Sequence, residues 1–287
     1  MKILLLGSSG FLGNEIYSTF KSVKKFSLFH NGVKKKNYDL KKKNNLEKLI
    51  VESKPDLIIN SLGYTNVDLC EKNKISSFIN VTIVKNIFLI KKKYKLNFRF
   101  IHFSSDQVYD SRYKTFNKEN SKTKTNNKYT QQKLNSEKIC LKNNALIFRT
   151  NFFGKSKSGT PSLTDWIFQK FKQKKKFYLF NDIFFNPLRV STIAKIILKI
   201  VLSNKSNKCG IYNLCAKGFL NKSSFAIQFA KKAGIYQKNY IIISSNKILK
   251  TPRSKNMIMC NKKFLNTFKI QLPSIDKEIK CEAKKYK

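Results

Sequence analysis

From the N-terminus, short apolar runs alternate with segments whose apolar residues recur every three or four positions. KILLLG at 2–7 is a continuous apolar run closed by glycine, the pattern of a strand buried on both faces. FLGNEIYSTFKS at 11–22 carries Leu12, Ile16 and Phe20 at helical spacing. The alternation continues with a strand at 25–30, a helix at 45–53 stopped before Pro55, and a strand at 56–63. A long helix over 74–96, a strand at 98–105, a helix at 128–143 and a strand at 145–154 follow. Apolar strands separated by helices predict an α/β fold with a doubly wound parallel sheet covered on both faces.

Beyond residue 154 the pattern loosens. KSKSGTPS reads as a loop and SLTDWIFQKFKQ as a helix, and the stretch from FYLFND to KIVLS runs from strand through loop into helix. GIYNL is strand-like, SSFAIQFAKKAG is a helix closed by glycine, and the tail CEAKKYK is expected to be mobile. The chain therefore divides into 1–154, to which later strands and helices return, and a smaller α/β part over 155–287.

Composition alters this picture mainly through charge. Lys and Arg number 59 against 16 Asp and Glu, a net charge of +43. The excess is mostly lysine, spread from end to end among many Asn, Ile and Phe residues, as in a chain-wide compositional drift. A selected polyanion partner is the alternative reading. No zinc-finger spacing, basic zipper or aromatic RNA-binding signature accompanies the charge, so no specific nucleic-acid partner is expected. The charge should still draw anionic ligands and give non-specific nucleic-acid binding at low salt. Cys70, Cys140, Cys209, Cys215, Cys260 and Cys281 form no CxxC pair, and no metal site is expected. The cysteines read as reduced thiols. The opening MKILLLGSSG is too short for a signal peptide, and no run reaches membrane-spanning length. A cytoplasmic location without a membrane partner is expected.

GSSGFLG places Gly7, Gly10 and Gly13 between the first strand and the first helix, with Phe11 and Leu12 in the same turn. Glycine permits the tight turn and the close approach of a pyrophosphate, and the helix N-terminus offers free N–H groups. The expectation is a Rossmann-type sheet over 1–154 that binds a dinucleotide, NADPH or NADH. An NAD-preferring site carries an acid at the end of the second strand, roughly 20 residues on. Here LFHNGVKKK has none. His30, Asn31 and Lys34 to Lys36 would favour the 2′-phosphate of NADP, although lysine is common throughout the chain.

The stretch KYTQQKLNSEK puts Tyr129 and Lys133 one helical turn apart, with Ser105 upstream in IHFSSDQVYD. The spacing alone fits a surface pair as well as a proton-delivery device. In order along the chain, GSSGFLG, YDL at 38–40, PDLIINSLGYTNVDLCE at 55–71, SSDQVYD at 104–110, YTQQK at 129–133 and RTNFFG resemble the extended short-chain dehydrogenase/reductases. More closely, they are similar to the dTDP-4-dehydrorhamnose reductases. The resemblance is good over roughly 1–200 and looser through FFNPLRV and KNMIMCNKKF.

This resemblance implies that Tyr129 donates a proton to the substrate carbonyl oxygen. Lys133 would lower the tyrosine pKa and hold the cofactor ribose. Ser105, where the family usually has threonine, would hydrogen-bond the same oxygen. Asp39 and Leu40 would flank the adenine, and Ser61, Leu62 and Gly63 would line the cofactor groove, Leu62 replacing a common alanine. Thr65, Val67, Asp106 and Phe152 would face the sugar, with loop capping the alternative for Thr65 and Asp106 and core packing for Phe152. Arg189 and Arg253 are candidate phosphate clamps in the substrate-binding part, because arginine is scarce here and grips phosphate in a bidentate way. Solvated surface arginines are the alternative. Trp166 reads as packing rather than sugar stacking. Some rhamnose-pathway reductases form metal-bridged dimers through glutamates, but beyond Glu15 few acids are placed for it. No metal is expected, and the protein would be a monomer or homodimer.

The implied activity is reduction of a 4-keto-6-deoxy sugar nucleotide by NAD(P)H, most simply dTDP-4-dehydrorhamnose to dTDP-L-rhamnose for surface polysaccharide. A sugar-nucleotide epimerase or dehydratase on the same fold is the second reading, although Gln107 stands where a glutamate would favour a dehydratase. A non-catalytic binding subunit similar to the regulatory subunit of methionine adenosyltransferase is the third. The intact Ser105, Tyr129 and Lys133 set speaks against it.

Overall fold

The computed structural model describes residues 1–31, 39–40, 42–173 and 175–287. The chain opens with β1 (Lys2–Leu6), α1 (Phe11–Phe20), β2 (Ser27–His30), α2 (Lys43–Ser53) and β3 (Leu57–Asn60). It continues through α3 (Val67–Lys72), α4 (Lys74–Ser77), a π-helical turn (Phe78–Thr82), α5 (Ile83–Lys93), β4 (Arg99–Ser105), α6 (Lys128–Lys142) and β5 (Leu146–Thr150). Then come β6 (Phe152–Phe153), α7 (Leu163–Lys172), β7 (Phe177–Phe180), β8 (Phe184–Phe185), β9 (Leu188–Arg189) and α8 (Val190–Leu202). The last elements are β10 (Gly210–Leu214), β11 (Leu220–Asn221), α9 (Lys222–Ala233), β12 (Tyr240–Ile243), α10 (Lys262–Phe268) and α11 (Ile275–Ala283).

The central sheet has the order β10-β5-β4-β3-β1-β2. The pairs β1–β2, β1–β3 and β3–β4 are parallel. The chain leaves β1 for β2 on one side, then crosses back to β3 on the other. That reversal opens a crevice beyond the carboxyl end of β1, where ligands of such sheets bind. Ile3 to Leu6 and Leu57 to Ile59 are fully buried, as their unbroken apolar runs require. On the edge strand β2, Ser27 and Phe29 are exposed while Leu28 and His30 are half-buried.

By its contacts the chain forms two compact units, each assembled from separate segments. One comprises 1–104, 127–148 and 194–211, and the other 105–126, 149–193 and 212–287. A cut at residue 154 is a division of the sequence, whereas the segments interleave. The first unit is held by a core that includes Leu4, Leu6, Ile58, Ile87, Phe88, Phe100 and Ile147. The second is rich in aromatic pairs, among them Phe153–Phe225 and Phe171–Phe177, with ring centroids 4.9 and 5.1 Å apart. Its small sheets pair β7 with β12, β8 with β11 and β6 with β9. Among the described residues no helix is long and apolar enough to cross a membrane.

Two local expectations need correction. The helix read over 74–96 runs from Lys74 to Lys93 and widens into a π-helical turn at Phe78–Thr82. That turn carries Asn80, whose amide is committed to the loop after β3 and to α6. The tail expected to be mobile is docked. CEAKKYK continues α11, and Tyr286 is buried against Phe229, with ring centroids 5.1 Å apart. Its hydroxyl donates to Thr164 Oγ1 at 3.0 Å and Asp165 Oδ1 at 2.5 Å at the start of α7. Two carboxylates of α11 hold it further. Glu278 accepts from Arg189 N and Nε, and Glu282 accepts from Lys155 N at 2.7 Å. Tyr286→Ala should therefore destabilise the protein by about 3 kcal/mol. Urea denaturation measures this, and a loss below about 0.5 kcal/mol, the level of an ordinary surface change, would contradict a docked tail.

Candidate active site

The glycine turn after β1 is built with no room to spare. Gly7 takes a φ of +86°, in the left-handed region, and Gly10 N donates to Gly7 O at 3.0 Å. A Cβ on Gly13 would lie 1.9 Å from Gly7 O, and one on Gly7 would lie 2.8 Å from Leu62 N. Gly10 precedes α1 without a side-chain cap. The first N–H groups of that helix thus meet no capping side chain, and with the helix dipole they suit an anion. This cradle fits the pyrophosphate of a dinucleotide. Phe11 and Leu12 begin α1, with Leu12 buried.

Around the turn, Gly7 N donates to Asn31 Oδ1 at 2.7 Å, and Ser8 Oγ lies 3.3 Å from His30 Nδ1. Burial lowers the His30 pKa, so its ring is neutral at pH 7. Asn31 thus braces the turn, and His30 stands beside it at the end of β2. Lys34 to Lys36 lie outside the described residues. Asp39 O accepts from Lys42 N and Asn45 Nδ2 at the start of α2. Leu40 is buried in the core of the first unit. Ser61 Oγ donates to Leu6 O at 2.7 Å, and Leu62 N donates to Asn60 Oδ1 at 3.2 Å. The loop after β3 is thereby pinned beside the turn. Thr65 and Gly63 are exposed, whereas Val67 is buried in a cluster with Cys70 and Tyr129.

Helix α6 starts at a capping box in which Asn127 and Thr130 bond each other reciprocally. It presents Tyr129 and Lys133 on one face, both almost fully buried, at 5% and 4% exposure. Lys133 Nζ donates to Phe103 O at 3.1 Å and stands 5.9 Å from the centre of the Tyr129 ring. It is also close to where a Cβ on Gly63 would lie, 3.5 Å away. Burial lowers the Lys133 pKa to about 8, with Glu137 partly opposing it. The ammonium is still mostly protonated at pH 7.

Two polar chains that the sequence reading did not identify set the position of α6. Asn80 Nδ2 donates to Gln132 Oε1 at 2.8 Å and to Tyr64 O, while Asn80 Oδ1 accepts from Tyr64 N. Gln132 Nε2 donates to Ser76 Oγ. In the other chain, Asn60 Nδ2 meets His102 Nδ1 and His102 Nε2 meets Ser136 Oγ, each at 3.2 Å. Ser136 Oγ then donates to Lys133 O. Burial, and next the positive charge of Lys133, push the His102 pKa well below its usual value, so the ring is neutral. Polar residues on the buried side of an element are the only sequence signal for such chains, and Asn and Lys are too frequent here for it to stand out.

In the second unit, Ser105 Oγ donates to Asp106 Oδ1 at 3.3 Å and accepts from Gln107 N at 3.2 Å. Asn151 Nδ2 donates to Asp106 Oδ2 at 2.7 Å. Burial pushes the Asp106 carboxyl up to about 6, opposed by Asn151, Lys222 and Ser105. A cavity of about 350 Å³ is lined by Gln107, Asn151, Trp166, Tyr178, Lys222 and Arg253, with further apolar residues. Trp166 also packs edge-on against Phe177 at 5.9 Å. Arg253 thus reaches the cavity, and Lys222 joins it without having been singled out in the sequence. Arg189 is not among the lining residues. Its guanidinium is paired with the buried Glu278 at 3.1 Å. Phe152 is half-buried in β6, which runs parallel to β9.

The buried lysine has a measurable consequence. Lys133 titrates near 8 when folded and near 10.5 when unfolded. Below pH 8 both forms are protonated and the burial penalty is complete. Between pH 8 and 10.5 the unfolded chain holds the extra proton, so stability rises with pH. Lys133→Met removes the penalty, about 3 kcal/mol, and loses the bond to Phe103, about 1 kcal/mol. The variant should be more stable than wild type at pH 7 by about 2 kcal/mol, with the advantage vanishing toward pH 10. Urea denaturation at both pH values tests this. An unchanging difference would contradict it.

Known proteins share this architecture. The chain is 27% identical over 289 residues to the dTDP-4-dehydrorhamnose reductase of Escherichia coli K12, covering 95% of this chain and 94% of that one. A dTDP-4-dehydrorhamnose reductase structure from Clostridium acetobutylicum superposes with a TM-score of 0.87 at 22% identity, covering 99% of both chains. The corresponding structure from Bacillus anthracis, in complex with NADP, gives a TM-score of 0.85 at 20% identity and the same coverage. At these identities the structural likeness concerns the fold. The sequence itself matches the RmlD substrate binding domain across residues 1–287, and the chain belongs to that family.

Proposed function

We propose that this protein is an NAD(P)H-dependent reductase of a 4-keto-6-deoxy sugar nucleotide. Its substrate is dTDP-4-dehydrorhamnose and its product dTDP-L-rhamnose, made in the cytoplasm for surface polysaccharide. The observation that carries this reading is the buried Tyr129–Lys133 pair on α6, with the Lys133 ammonium held by Phe103 O. Relatives named dTDP-4-dehydrorhamnose reductase, aligned over nearly the whole chain, support the choice of substrate.

Gly7, Gly10 and Gly13 would hold the cofactor pyrophosphate at the start of α1, and Lys133 would hold the ribose. When bound, the nicotinamide supplies the hydride. Tyr129 donates its phenolic proton to the carbonyl oxygen as the carbon is reduced, so the ketone becomes a secondary alcohol. An ordinary tyrosine with a pKa of about 10 gives up this proton reluctantly, and the Lys133 charge stabilises the phenolate left behind. Ser105, whose hydroxyl donates to Asp106 Oδ1 at 3.3 Å, would turn it to the same oxygen. Asp106, fixed by Asn151, accepts from a sugar hydroxyl, and Thr65 and Phe152 complete the sugar's surroundings. Arg253 takes the diphosphate. Arg189 serves Glu278 and the docking of α11 instead. An epimerase or dehydratase reading would want an acid beside Asp106, and Gln107 supplies a neutral amide.

Tyr129→Phe should lower turnover at least about 100-fold while NADPH affinity stays within about twofold, because only the proton donor is lost. Steady-state kinetics with fluorescence titration of NADPH measures both, and wild-type turnover would remove Tyr129 from the mechanism. Asp106 accepts from the sugar most strongly when ionised. Its carboxyl lies near 6, so kcat/KM should fall as pH drops through about 6. In Asp106→Asn that acidic limb should be absent. Its persistence unchanged would assign the limb to another group.

A further inference from the structure

Two polar groups in the cavity of the second unit have been assigned no substrate atom, although the charge of one of them, Lys222, also holds the Asp106 carboxyl down. Gln107 Oε1 is buried and has no hydrogen-bond partner. The backbone of Gln107 is fixed on both sides, its N–H donating to Ser105 Oγ at 3.2 Å and its carbonyl accepting from Ser254 Oγ at 2.7 Å. Gln107 thus lines the cavity from a fixed backbone, with its side-chain acceptor unused. Lys222, the first residue of α9, lines the same cavity. Its ammonium sits 3.6 Å over the Phe185 ring, a contact that uses the charge without directing all three N–H donors to fixed acceptors. Asn151, the neighbouring amide, is already committed to Asp106 at 2.7 Å.

We propose that Gln107 and Lys222 form a specificity pair that reads one ring hydroxyl of the sugar. The hydroxyl donates to Gln107 Oε1 and accepts from Lys222 Nζ. A hydroxyl is donor and acceptor at once, so it satisfies both groups. A carboxylate or a second carbonyl satisfies Lys222 and leaves Gln107 Oε1 without a donor. A deoxygenated position satisfies neither. Sites with buried polar groups discriminate strongly against a ligand that leaves those groups unpaired. The cavity therefore selects a hexose that keeps this hydroxyl over its deoxy analogue. This deepens the reductase reading and rests on it, since Gln107 is locked to Ser105, the residue assigned to the carbonyl of the same sugar.

The test is calorimetric binding to the full chain with NADP present, using dTDP, dTDP-glucose, dTDP-2-deoxyglucose and dTDP-3-deoxyglucose. In wild type, one deoxy sugar should bind about tenfold more weakly than dTDP-glucose. In Gln107→Leu and in Lys222→Met, dTDP-glucose should weaken several-fold, the penalty for that deoxy sugar should shrink in each as one of its two bonds is lost, and dTDP itself should bind as in wild type. Unchanged dTDP and NADP binding also reports that the variants are folded. If wild type binds all three sugar nucleotides alike, the pair is overturned without any variant, while the reductase reading stands. Penalties that add in full in the variants overturn it equally, since independent losses mean the two groups do not read that hydroxyl. If wild type gains nothing from the sugar over dTDP alone, the substrate reading fails and the pair with it.

Discussion

A positive charge taken out of water constrains the first unit more than any other interaction. The Lys133 ammonium is almost fully buried, and burying a charge costs several kcal/mol unless its surroundings are arranged for it. Here the arrangement is a carbonyl of β4, a carboxylate one turn along α6 and a neutral histidine. Had His102 been protonated, two cations would share the interior. Asn60 and Ser136 instead hold the ring between β3 and α6, and burial together with the lysine keeps it uncharged. The same residues that make the lysine tolerable thus fix α6 to the sheet. They place Tyr129 and Lys133 at a set separation, which is what the proposed proton transfer requires.

Acidic groups follow the converse logic. Asp and Glu number 16 against 59 Lys and Arg. Yet Asp106, Glu137, Glu278 and Glu282 are nearly inaccessible. Three of these accept from named backbone or side-chain donors, and Glu137 supports the charge of Lys133. Removing Asp106, Glu278 or Glu282 would strand the donors that each accepts from.

The legible parts of the sequence are those in which one residue type has one physical meaning. Gly7 and Gly13 announce a turn that no side chain can enter, and their place after an unbroken apolar strand identifies the cradle. Strand and helix order follows from the change of apolar period. Tyr129 and Lys133 became conspicuous only through the resemblance of the surrounding motifs, since tyrosine–lysine spacings are common in so lysine-rich a chain. Asn80, Gln132, His102 and Lys222 were not legible. Their roles come from partners far away in sequence, as in the Asn80–Gln132 bond across 52 positions. Tyr286 misled for the same reason: in a polar terminal stretch it looks solvated, and only its contacts with α7 and Phe229 show otherwise. The return of later segments to the first part could be anticipated, but not that 105–126 would group with the second unit, because that stretch follows a strand of the first without a break in pattern.

The central claim is that the buried pair on α6 drives a ketone reduction on a sugar nucleotide. Absorbance at 340 nm tests it most directly, with dTDP-4-keto-6-deoxyglucose and its 3,5-epimerised product offered in turn alongside NADPH or NADH. The account predicts cofactor oxidation that depends on the keto sugar and yields a deoxysugar nucleotide. Tight NADPH binding with no oxidation by either keto sugar would contradict it, leaving a dinucleotide-binding protein whose chemistry lies elsewhere.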